Sequence, residues 1–236
     1  MKNNHPPLIV SIVIYILGAL IGFTLVLLAA WADLEASLYG FDHTGGGRLS
    51  TLSCPILMTA NETSSFSIKV TNTTDNTLSP TIKTDISTPF TFLSSFDPIK
   101  LAPGESKRME WAIGPGNIEL GHFIFVRGYL FAAYPLSDRE NTCGVFIVNL
   151  PSNGITITWG MIALSLLGMG IGLYGLRRSP SRMRSGNDFT GFVVLSITLL
   201  TGIVFTFLGW WLFAGISIVI TLLLFVTLLG LMLRPQ

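Results

Sequence analysis

Three long stretches of this 236-residue chain, residues 8–30, 155–176 and 189–233, contain no Asp, Glu, Lys or Arg. A hydrocarbon layer of ~30 Å is crossed by about 20 apolar residues in a helix that rises ~1.5 Å per residue. The first two stretches, of 23 and 22 residues, suit one crossing each, and the third, of 45, suits two. The middle of the third reads Gly209-Trp210-Trp211-Leu212-Phe213-Ala214-Gly215. Glycines on both sides of an aromatic pair predict a tight hairpin between helices at 189–209 and 212–233. The expected class is therefore a four-helix membrane bundle, with spans at 8–30, 155–176, 189–209 and 212–233, joined to an all-β domain.

Charge fixes the expected orientation. Arg177, Arg178, Arg182 and Arg184 crowd the short connection 177–188, and basic short loops stay on the cytoplasmic side. Lys2 in segment 1–7 and Arg234 in segment 234–236 agree, so both termini are expected in the cytoplasm and residues 31–154 outside it. Trp31, Trp159, Trp210 and Trp211 then mark one outer interface, where indoles concentrate. Ala30-Trp31-Ala32 has the small-x-small form of a signal-peptidase site. The apolar run before it exceeds the roughly 7–15 residues of a signal core, so a retained anchor is expected.

Of 13 acidic residues, 12 lie between Asp33 and Glu140. Here the pattern changes to short alternating segments. Residues 31–47 end in a glycine-rich run, Gly45-Gly46-Gly47, and read as a flexible spacer. Within 48–153, strands are predicted at 48–57, 65–71, 81–88, 90–94, 106–113, 122–132 and 143–150. Phe66, Ile68 and Val70 share one face, as do Met109, Trp111 and Ile113. Such half-apolar strands need a second sheet to cover them, and seven of them suggest a β-sandwich.

Val70-Thr71-Asn72 before a polar turn, Leu101-Ala102-Pro103-Gly104-Glu105-Ser106 before a later strand, and Met109-Glu110-Trp111 resemble prokaryotic Ig-like adhesion and accessory domains. The resemblance covers about residues 48–150 and implies an Ig-like sandwich without any reaction chemistry. The four-helix topology with a β-rich first outer loop also resembles the claudin-like arrangement, although its W-x-x-L-W-C-C signature is missing.

Cys54 and Cys143 are the only cysteines. Outside the cytoplasm such a pair is most simply a disulfide, worth ~4–5 kcal/mol for a loop of this length in the chain-entropy model. No C-x-x-C spacing or adjacent histidine suggests a redox or metal pair. His5, His43 and His122 are scattered, and no H-E-x-x-H, G-x-S-x-G, P-loop or dinucleotide fingerprint occurs. No cofactor or metal is expected. A net charge of +1 argues against nucleic acid as a partner.

Asp138-Arg139-Glu140 reads as an exposed turn in a loop, with a partner contact as the alternative, and the apolar Tyr134-Pro135-Leu136 before it reads as a docking patch or as a segment resting on the membrane. Asn61-Glu62-Thr63 and Asn72-Thr73-Thr74 match the glycosylation sequon. Gly18-x-x-x-Gly22 and Gly168-x-x-x-Gly172 provide small-residue faces for close helix packing, inside the bundle or against another subunit.

A bundle without ionisable groups offers no ordinary ion path. The functional expectation is a non-enzymatic, membrane-anchored accessory or binding subunit, with the lipid bilayer and a protein as partners. The alternative is a small transporter or channel with an outer β lid. An enzyme acting at the membrane face is a third class, and Asp33, Glu35 and Asp42 are its only candidate acids.

Overall fold

The computed structural model describes residues 8–41, 47–131, 137–178 and 186–232. In chain order these form α1 (Leu8–Leu38), β1 (Gly47–Arg48), β2 (Leu52–Ser53), β3 (Leu57–Thr59), β4 (Ser64–Thr71), β5 (Thr81–Thr88), β6 (Thr91–Pro98), β7 (Ser106–Ile113), β8 (Phe123–Phe131), β9 (Arg139–Val148), α2 (Gly154–Arg177), α3 (Gly186–Phe207) and α4 (Trp211–Met232). They divide into two compact units, Trp31–Ile157 and the remainder.

In the helical unit all four helices are long and apolar enough to cross a membrane. The small-residue faces of α1 and α2 meet each other. A Cβ on Gly18 would stand 2.7 Å from the Met169 nitrogen, and Gly168 meets the Gly18 Cα at the same distance. Gly22 abuts Ser165, and Gly172 abuts Tyr15. Several polar side chains here bond backbone: Thr24, Thr198, Thr201, Thr206 and Thr221 donate to the carbonyl four residues earlier. Tyr15 reaches across to donate to the Phe192 carbonyl at 2.7 Å.

The α3–α4 hairpin turns at Gly209, whose φ of 62° is in the left-handed region. The Gly209 N–H donates to Thr206 and the Trp210 N–H to Phe205. This is the paired bonding of a Schellman motif, which satisfies carbonyls left open by a helix end. The Trp210 ring lies on the Phe205 ring, supplying the apolar contact that goes with the motif.

The β unit contains two sheets. The larger runs β1-β9-β8-β5-β6, with β3 also on β9, and the smaller runs β2-β4-β7. Pairing is antiparallel except for β1 and β3, which lie parallel to β9. Phe66 and Ile113 from the smaller sheet share a core with Ile86, Ile124, Val126, Val145 and Ile147 from the larger. Cys54 is bonded to Cys143 of β9.

Several sequence expectations are corrected. The segment 48–57 is broken into β1, β2 and the start of β3, because a turn at 50–51 and an irregular stretch at 54–56 interrupt pairing. Phe90 belongs to a turn, and the strand after it runs on to Pro98. The last strand opens at Arg139 rather than at Cys143.

The largest correction concerns the spacer. Residues 31–38 continue α1 for two more turns, since Trp-Ala-Asp-Leu-Glu-Ala-Ser-Leu contains no Gly or Pro to stop a helix. Those turns form a third layer. Ala32, Ala36 and Phe41 pack on Phe123 and Phe125 of β8. β8 thus has both faces covered: Ile124, Val126 and Leu130 face the smaller sheet, and Phe123 and Phe125 face the helix.

The close approach depends on Gly144 of β9, where any Cβ would collide with the backbone of Ala32 and Asp33. Gly144→Ala should therefore displace the helical layer and cost ~1–3 kcal/mol, the usual range for overpacking. Thermal unfolding in detergent, set against Gly116→Ala at an open position, measures it.

Candidate functional site: the outer face and free edge of the larger sheet

Alternation along β8 turns Phe123, Phe125, Arg127 and Tyr129 to the face away from the smaller sheet. Register brings Asp85 of β5 opposite Arg127, and Glu140 of β9 opposite Tyr129. The Arg127 guanidinium lies 3.2 Å from Asp85 and 2.9 Å from Glu140, and 5.6 Å from the Tyr129 ring centre. Lys83 approaches Asp85 at 3.4 Å, and Ser94 donates to the same carboxylate. Among the described residues two cations thus meet two anions, with Arg127 and Asp85 almost wholly buried.

Burying charges is tolerated only when they are paired and hydrogen-bonded. These carboxylates are engaged with cations and hydroxyls, which suits a structural cross-brace rather than acid–base chemistry. The sequence expectation passed over Arg127 and Asp85. The available signal was a lone arginine inside Phe-Ile-Phe-Val-Arg-Gly-Tyr-Leu-Phe, which demands a buried partner.

Of the expected contact trio, Arg139 and Glu140 lie in β9 rather than in a loop. Glu140 is turned into the brace, the Asp138 carboxylate accepts the Tyr129 hydroxyl at 2.7 Å, and Arg139 is exposed. Tyr134, Pro135 and Leu136 lie outside the described residues, as do Arg182, Arg184, Asp42 and His43. Arg177 and Arg178 end α2 exposed, with the Arg178 guanidinium over the Tyr174 ring.

Trp31 rests against Phe123 and Phe146 and donates to Glu35. Trp159 stacks on Phe207, and Trp210 packs with Phe205 and Phe213. Trp211 opens α4. Asn72 is buried and donates to the carbonyls of Asn76, Leu101 and Ala102, so it staples a turn and is closed to a glycan. Asn61 is exposed.

Asp33 and Glu35, two of the three candidate acids, are both engaged. Asp33 lies beyond the uncharged run 8–30 and accepts the Gly144 N–H at 2.9 Å. Burial pushes its carboxyl up to about 6, against the smaller lowering effects of that hydrogen bond and of Arg48. A separate cleft of about 360 Å³ is lined by Asn61, Glu62, Asn149 and Asn153. There Glu62 accepts the N–H groups of Thr59 and Gly154, capping the start of α2. Among the described residues no group of three His, Cys, Asp or Glu side chains is arranged to hold a metal.

Among the described residues β6 pairs only with β5, so it forms an edge of the larger sheet. The two-residue connection Pro89-Phe90 makes Thr88 and Thr91 a hydrogen-bonded pair, so alternate residues Leu93, Ser95 and Asp97 bond β5. Phe92, Ser94 and Phe96 direct their backbone groups outward. Leu93 and Phe96 leave most of their side chains exposed.

No protein-family model and no curated protein matches the chain. Among solved structures, the chain is similar to the CARDB domain of a Pyrococcus furiosus protein in complex with di-metal ions. That match has 14% identity and a TM-score of 0.34, covering 41% of this chain and 84% of that one. A Paenibacillus cycloisomaltooligosaccharide glucanotransferase matches with 10% identity and a TM-score of 0.33, covering 43% of this chain. A Listeria innocua β-glucosidase matches with 11% identity and a TM-score of 0.31, covering 46%. The chain spans only 14% and 17% of these two enzymes. Likeness at this level amounts to a weak resemblance of fold.

Two outcomes follow from the charges. Arg127→Met leaves two carboxylates without their shared cation and should cost ~3–5 kcal/mol, the range for breaking a buried pair; chemical unfolding of the purified chain reads it. Asp33 has a raised folded-state value, so its stabilising contribution is full below pH 3.8 and is lost as pH rises through about 6. Asp33→Asn should flatten the stability profile across that window and unfold at a higher temperature than wild type at pH 7.

Proposed function

We propose that this protein is a non-enzymatic, membrane-anchored accessory subunit that presents its β domain to a protein partner outside the cytoplasm. The observation that carries this reading is the eight-residue edge strand β6. Natural sheets usually protect such an edge with lysine, a bulge or a covering element. Here Thr91-Phe92-Leu93-Ser94-Ser95-Phe96 carries no charge before Asp97. An extended segment of a partner can add to it as a further strand, with main-chain bonds giving affinity and the exposed Leu93 and Phe96 giving specificity.

In this proposal the four helices span the membrane, both termini lie in the cytoplasm, and the β domain is an Ig-like sandwich. The cationic end of α2 at Arg177 and Arg178 supports that orientation. The transport alternative draws no support from the bundle, where Thr198, Thr201 and Thr206 bond carbonyls of their own helix.

Extraction from native membranes in mild detergent should bring a protein down with the chain. Phe96→Pro removes one outward N–H at a position where an edge strand tolerates proline. It should abolish co-purification while leaving the unfolding temperature close to wild type. A monodisperse, partner-free wild-type chain, or undiminished capture by Phe96→Pro, would falsify the reading.

A further inference from the structure

The residues of β6 restrict which strand can be laid along its outer side. The Pro89-Phe90 hairpin, with Phe90 left-handed at a φ of 71°, fixes Thr88 and Thr91 as its closing pair. From there Phe92, Ser94 and Phe96 turn their N–H and C=O groups away from β5. In an antiparallel ladder, residues that bond across the seam stand directly opposite one another. A second copy of β6 therefore fits only with the outward residues 92, 94 and 96 facing each other.

Three such registers are close competitors. Centred on Leu93, the ladder runs Phe96 of one copy into the Phe90 turn of the other. Centred on Ser95, it sets Phe92 against Pro98, which has no N–H to donate. Centred on Ser94, it pairs Phe92 with Phe96, Ser94 with Ser94 and Phe96 with Phe92, and each pair exchanges both main-chain bonds. Phe92-Leu93-Ser94-Ser95-Phe96 is nearly palindromic about that centre, so ring meets ring and hydroxyl meets hydroxyl on one face. Asp97, the one charge of the strand, falls opposite Thr91, and the two Asp97 carboxylates lie at opposite ends of the ladder, so no like charges meet. Lys83 holds its ammonium 5.8 Å from the Phe96 ring centre, adding a cation beside each cross-copy ring pair.

We infer that the partner docking on β6 is a second copy of this chain, paired antiparallel about a two-fold axis through Ser94. The inference rests on the reading of β6 as a docking edge and names its occupant. Each copy offers the same strand to the other, so this contact closes at two chains and joins two larger sheets into one.

Two differently tagged copies are co-expressed and extracted in mild detergent. Capture through one tag should recover the other, with a protein mass of two chains by light scattering. Phe96→Pro in both copies should lower that recovery several-fold; undiminished recovery places the contact elsewhere and overturns the inference. The native cysteines are joined to each other, so Leu93→Cys in one copy and Ser95→Cys in the other supply lone thiols. In the proposed register these face each other as a non-hydrogen-bonded pair, ~4.5 Å apart at Cα, within reach of a disulfide. Mild oxidation should cross-link this mixed pair several-fold more than either variant with itself. Equal yields in all combinations, or a wild-type mass that climbs past two chains with concentration, overturns the inference. One copy bound to a different protein, released by Phe96→Pro, also overturns it while leaving β6 as a docking edge. A single chain with nothing attached removes both readings.

Discussion

Strand β8 is apolar on both faces, and the β unit is organised around covering it. Ile124, Val126 and Leu130 are buried between the sheets, while Phe123 and Phe125 need a second cover on the other side. An antiparallel sheet with one wet face has no use for such a strand. The end of α1 meets the need, and it can do so only because Gly144 lets the backbone at Ala32 come against β9. Arg127, on the same face of the same strand, is accommodated by a different device: charges drawn from the strands on either side.

Much of this was legible in the residues. Uncharged runs of the right length identified the four helices, because desolvating a charge in hydrocarbon is costly enough to leave a plain compositional mark. The alternation of Phe66, Ile68 and Val70 identified a strand with one buried face, and the disulfide followed from there being only two cysteines. The third layer was hidden because Gly45-Gly46-Gly47 drew the whole segment 31–47 into one spacer. The chain is helical up to Leu38 and glycine-rich in sequence a few residues later, and an average over both obscures the boundary. The doubly apolar sequence of β8 was the overlooked evidence that a helix had to be near.

The candidate site was less legible for a related reason. Asp138-Arg139-Glu140 looks like an exposed turn when read alone, since three adjacent charges usually stay wet. Only the register between β8 and β9 reveals that Glu140 has a buried cation to meet. Likewise Phe90 reads as the start of a strand from its neighbours, and its left-handed backbone is set by the Pro89 turn and the β5–β6 pairing. Tertiary pairing decides these residues, and one-dimensional patterns do not carry it. What separates the brace from the open edge is hydration: the first spends its polar groups on one another, while the second leaves main-chain groups to water.

The parallel pairing of β1 and β3 with β9 also bears on the order in which the domain is made. Residues 47–59 precede their partner strand by about 90 positions, and β9 is the last strand to be synthesised. Until it emerges, β8 lacks a neighbour on one side, Cys54 lacks Cys143, and the end of α1 lacks the glycine against which it rests. The larger sheet therefore cannot close progressively from its first strand. It waits, with its most apolar strand half-paired, for the ten residues that complete it. Contacts so distant in sequence form slowly, and over that interval the nascent domain is at its most exposed to misassembly.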